Sequence, residues 1–158
     1  MKLFILFFTL CSFSLFSQEK TITINESKIG LISCEHKLKV NLDNNDSSFY
    51  GIIVFQNMKY STIVDHSYIY FPLKKVVIGY TDITQFQEDL KSAILEFGNK
   101  VEISWDREGY ELAIHDFSNL LYLRQGEKHG SGYTRLTKKQ AEKLIEWCEL
   151  VIKYHSTK

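Results

Sequence analysis

An α+β fold, in which an antiparallel sheet of about six to seven strands carries two packed helices, is predicted by three features of the sequence. Before residue 80, apolar residues alternate or run in short β-branched stretches. At 82–97 and again at 138–154 they recur at helical spacing. Between those helices, three short alternating runs are separated by turn residues. The expected order is strands, helix, three-strand meander, helix.

The first strands read "TITIN", where threonine alternates with isoleucine, and "KLKVNL", which sets Leu38, Val40 and Leu42 on one face. "NLDNNDSS" is a polar loop. "YGIIVFQ" is apolar on both faces, as a central strand should be. "YSTIVDHSYIYF" continues as strand with a break near Asp65 to Ser67, and "LKKVVIGY" reads equally as strand or extended connection. Asp82 then stands as a helix N-cap with Gln85 in capping-box position. Ile83, Phe86, Leu90, Ala93, Ile94 and Phe97 form the apolar stripe, and Gly98 stops the helix in a left-handed conformation.

The meander is "KVEISWD", "YELAIH" and "LLYLRQ", its first turn carrying Gly109 as the expected left-handed residue. In the last helix Thr137 and Gln140 make a T-x-x-Q capping box, with Leu136 placed to pack on Ala141. Ala141, Leu144, Ile145, Cys148, Val151 and Ile152 line its apolar side, opposite Glu142, Lys143, Glu146 and Glu149.

The N-terminus has the layout of a secretory signal peptide. Lys2 precedes 14 apolar or small residues, Leu3 to Phe16, and polar residues follow. A membrane-spanning helix needs about 20. Cleavage after Ser17 is expected, to within a few residues, leaving 18–158 as one α+β domain with no transmembrane segment. Leu10 before Cys11, and the apolar chain after it, argue against a lipidated cysteine. The leader resembles those of small exported proteins of Gram-negative bacteria, which implies a periplasmic or secreted destination and no particular activity.

Loss of Lys2 takes the chain from 19 basic and 19 acidic residues to 18 and 19, so no broad charge draws it to nucleic acid. Two cysteines remain, Cys34 and Cys148. In an oxidising compartment they are a candidate disulfide; the alternative is two buried thiols.

Catalytic motifs are scarce. "GEKHGSGYT" lacks the Lys-Ser or Lys-Thr of a phosphate loop and the spacing of a dinucleotide fingerprint, so it is read as a hairpin loop linking "LLYLRQ" to a short strand "GYTRL". Cys34-Glu35-His36 sets a thiol and an imidazole on one face of a strand, which is too few ligands for a metal. No metal site and no cofactor are expected. Asp65-His66 and His115-Asp116 are strand neighbours that point apart.

The aromatics are more informative, because a sheet with helices on one face leaves the other partly open. Tyr60, Trp105, Arg107, Tyr110, His115 and Tyr122 are the candidate binding residues. The expectation is a non-catalytic exported module that binds a protein or envelope component. One alternative is a small exported hydrolase whose site the fold assembles from among His36, His66, His115, Asp65, Asp106 and Asp116. Another is a carrier of a lipophilic ligand.

Overall fold

The structure, a computed structural model, describes residues 19–44, 46–58, 62–64, 68–70, 73–115, 117–125 and 132–156. The leader, Tyr60, Asp65, His66, Asp116 and residues 126–131 lie outside that set.

The α+β class is as expected, but the strands form two four-stranded sheets. In the first, β1 (Glu19–Ile29), β2 (Ile32–Asn41), β3 (Ser47–Gln56) and β6 (Leu73–Gly79) run antiparallel in the order β1-β2-β3-β6. Among the described residues, the intervening β4 (Thr62–Val64) and β5 (Tyr68–Tyr70) pair with each other, on either side of the expected break. A two-residue turn at Gly30 and Leu31 joins β1 to β2, with Gly30 at φ 63°. The β1 register steps between Thr23 and Asn25, so Ile24 forms a bulge on the outermost strand of this sheet.

The second sheet has the order β10-β9-β8-β7, built from β7 (Ile103–Asp106), β8 (Tyr110–Ile114), β9 (Leu120–Gln125) and β10 (Tyr133–Thr137). The expected three-strand meander is continued by β10, the short strand expected after the glycine-rich segment, and β9 and β10 pair antiparallel on either side of residues 126–131.

Helix α1 (Tyr80–Leu95) carries the chain from the first sheet to the second, and α2 (Lys138–Ser156) ends it. The division into two sheets follows from this placement. The helices pack on each other, and each touches strands of both sheets. Each sheet therefore finds cover for its apolar face on the helical pair, and no single sheet has to span the whole strand set. Rows of buried residues mark the inward faces: Cys34, Ile53 and Val76 in the first sheet, Leu112 and Leu123 in the second. Both sheets and both helices share one core. At one corner the sheets are joined directly, since Met58 N–H donates to the Tyr133 carbonyl at 2.8 Å and Tyr133 N–H to Asn57 Oδ1 at 3.2 Å.

Two local expectations are corrected. The cap of α1 is Gly79, not Asp82, and it makes no side-chain cap hydrogen bond. Because β6 runs straight into the helix, Asp82 falls inside the first turn, where its charge still favours the positive helix end. Gly109 is not left-handed; the positive-φ glycines among the described residues are Gly30 and Gly98. Its reason is proximity, since a Cβ there would lie 3.0 Å from the Val77 carbonyl oxygen. The capping box of α2 is formed as expected. Thr137 N–H donates to Gln140 Oε1 at 2.9 Å, and Gln140 N–H to Thr137 Oγ1 at 3.4 Å.

Trp147 joins the predicted face of α2 and is buried across from Gly51 on β3. A Cβ on Gly51 would lie 2.7 Å from Trp147 Cη2, inside contact distance. Gly51→Ala is therefore expected to destabilise the fold by about 1–3 kcal/mol through overpacking. A urea midpoint equal to wild type would show that the indole can give way.

Candidate functional site

The sequence candidates fall into two places. One is the outer face of the second sheet. There Arg135 on β10 pairs directly with Tyr122 on β9, and Tyr133 shares their face two residues earlier on β10. The Arg135 guanidinium lies 5.5 Å from the Tyr122 ring centroid and 5.9 Å from that of Tyr133. The two rings are 5.8 Å apart, and His115 packs edge-on to Tyr122 at 4.8 Å. Beside this cluster Arg124 donates to Glu111 at 3.0 Å, and His115 Nδ1 lies 3.4 Å from Glu102. Arg135 makes no hydrogen bond or ion pair among the described residues. Stacking engages the face of its guanidinium and leaves the five edge N–H groups available.

The other place is a cleft of about 200 Å³ between β6, the first turns of α1 and the β7–β8 turn, which brings Arg107 and Tyr110 together. Arg107 donates through Nε to Asp89 Oδ2 at 2.8 Å and through Nη2 to Oδ1 at 2.9 Å. Tyr110 donates to Oδ2 at 2.8 Å and Gln85 to Oδ1 at 3.0 Å. Burial pushes the Asp89 carboxyl up, but these hydrogen bonds and the Arg107 charge outweigh it and hold the group below the usual carboxylate range. The same contact raises Arg107, and burial with the Asp89 contact raises the Tyr110 phenol. Asp89 is thus ionised and fully engaged, an anchor rather than a proton donor.

The remaining candidates do not join either place. Trp105 lies opposite Leu112 on the inward face and packs against the core. Tyr60 lies outside the described residues. Cys34 and His36 share the inward face of β2, as expected, and both are buried. Cys34 and Cys148 are free thiols. Burial pushes Cys34 up to about 12 and raises Cys148 also, with Cys34 adding to the effect on Cys148. His36 Nε2 lies 3.0 Å from His155 Nε2 on α2, among the rings of Phe49 and Tyr154. Burial first, then the neighbouring imidazole, lowers the His36 pKa below its ordinary value. Among the described residues, no three His, Cys, Asp or Glu side chains come together as metal ligands. No described helix is long and apolar enough to cross a membrane.

Of the hydrolase candidates, His36 sits under α2 while Asp106 ends β7 and His115 directly follows β8, and neither histidine lines the Arg107 cleft. Sequence reasoning missed Asp89, Tyr133, Arg135 and His155. Asp89 left a readable trace, because it stands three residues after Phe86 and four before Ala93, inside the apolar stripe of α1. No family model matches the chain, and neither a curated protein nor a solved structure matches it significantly.

Proposed function

We propose that the chain is an exported, non-catalytic binding module, periplasmic or secreted in a Gram-negative bacterium, that engages a protein or other envelope component through the outer face of its second sheet. The observation that carries this reading is the cluster of Arg135 on Tyr122 and Tyr133, with His115 beside it. Tyrosine and arginine are the residues that most often dominate binding energy at protein interfaces. Here an arginine with unengaged donors is held in place by two rings, so little order is lost when a partner arrives. The leader-like residues 1–17 supply the compartment.

The test is site-directed photo-crosslinking in the native cell. A photo-reactive phenylalanine analogue replaces Tyr133 in one variant and Lys143, on the exposed side of α2, in another. Position 133 is expected to trap a discrete envelope partner that position 143 does not, with Arg135→Gln reducing the yield about tenfold. Equal trapping from both positions, or from 143 alone, contradicts the reading. Mass spectrometry of the same protein is expected to place the mature N-terminus at or near Gln18; an unprocessed chain contradicts export.

A further inference from the structure

The outer face of the second sheet carries a pattern that points to its partner. Directly opposite residues on neighbouring strands share a face, so the register arranges this surface in rows. One row runs Asp106 on β7, Glu111 on β8, Arg124 on β9 and Tyr133 on β10. The Arg135 guanidinium lies over the Tyr133 ring at the end of that row. From β7 to β10 the charges are therefore minus, minus, plus, plus. The next row, Ser104, Ala113, Tyr122 and Arg135, rises from two small side chains to two large ones. Glu111 and Arg124 pair within the chain at 3.0 Å, and Glu102, 3.4 Å from His115, adds to the acidic side. Asp106 and Arg135, at the two margins, are exposed and make no ion pair among the described residues.

Both rows are antisymmetric about the line between β8 and β9. A half-turn about an axis along that line lays the face on a copy of itself, each half over its opposite. Asp106 then meets Tyr133 and the guanidinium beside it, Glu111 meets Arg124, and Tyr122 stands over the low ground at Ala113. Each of these contacts occurs twice. A half-turn about an axis across the strands does the reverse, setting Arg135 against Arg135 and Asp106 against Asp106. Two sheets packed face to face stand about 10 Å apart, a gap that tyrosine and arginine side chains from both sides can fill. We infer that the partner of the outer face is a second copy of this chain, docked as an isologous dimer about the β8–β9 line. Such a dimer rests on the outer-face reading above and gives that face its occupant. Four strands about 4.8 Å apart make a face smaller than the roughly 800 Å² per partner of a standard interface, so the dimer is weak, with a dissociation constant on the order of 10–100 μM.

The test is analytical ultracentrifugation of the mature chain from about 5 to 500 μM, at low salt so that exposed charges are not screened. Wild type is expected to pass reversibly from monomer to dimer across that range. Asp106→Arg sets cation against cation in the dimer, and Arg135→Asp sets anion against anion. Each variant alone is expected to associate about tenfold or more weakly than wild type. Their equimolar mixture is expected to dimerise again, because both Asp106–Arg135 contacts of the mixed pair then join opposite charges. Recovery on mixing also shows that neither variant had simply misfolded. A wild type that stays monomeric at 500 μM, a single variant that dimerises as wild type does, or a mixture that stays monomeric would each overturn the dimer. The crosslink from position 133 separates the two readings. An adduct of twice the chain mass supports the dimer, an adduct with a different protein overturns it and leaves the outer-face reading standing, and no adduct removes both.

Discussion

Leu144→Asp is expected to abolish the folded state. Leu144 is fully buried in the core that both sheets and both helices share. Truncation alone at such a site costs about 2–5 kcal/mol. An aspartate adds the cost of a carboxylate held out of water with no partner, several kcal/mol more. A domain of this size has about 5–15 kcal/mol of stability in total. Circular dichroism is expected to show no cooperative thermal transition for the variant, while Leu144→Ala still melts cooperatively at a lower temperature. A Leu144→Asp protein melting near wild type would mean that α2 does not dock as described.

Asp89→Ala is expected to cost about 2–4 kcal/mol, most of it from the groups left behind. The buried Tyr110 hydroxyl loses its acceptor, and the Arg107 guanidinium loses both of its hydrogen bonds to Asp89. Arg107 is half in water and recovers part of the loss by hydration, which keeps the figure below that of a fully buried pair. Lys91→Ala is the control. Its ion pair with Glu149 spans 3.8 Å between two side chains that are each more than half exposed, and such pairs contribute at most about 1 kcal/mol. Chemical denaturation of the two variants checks the contrast, and equal losses would remove Asp89 from its anchoring role.

The same experiment has a pH signature. The folded Asp89 carboxyl titrates below its ordinary value of 3.8. The unfolded state therefore binds more protons in that window, and the stabilisation from ionised Asp89 is complete above the unfolded value. It is lost as the pH falls through the lower folded value. The gap between wild type and an Asp89→Asn variant is accordingly expected to hold constant above about pH 5 and to close only in more acidic solution.

What could be read from residue order was largely what depends on short-range periodicity. The α2 capping box, its buried face and the left-handed stop at Gly98 each rest on residues within a few positions of one another. The division into two sheets was not readable, because alternation shows that a strand has an inside and an outside but not which strand it pairs with. The same limit hid the outer-face cluster. Tyr122 was visible as an aromatic on a strand, whereas its meeting with Arg135 depends on the β9–β10 register across residues 126–131. Asp89 was legible in principle, as an acid within an apolar stripe, and its partner Arg107 is 18 positions away in a different element.

The bulge at Ile24 has a consequence beyond its own pair of strands. An eleven-residue border strand offers a row of amide and carbonyl groups along which a second chain could zip. At Ile24 that row loses its even beat and the strand twists, so an incoming strand in step with one half falls out of step with the other. The cost is one irregular residue, and the return is a long margin that resists seeding fibres while the molecules fold in crowded surroundings.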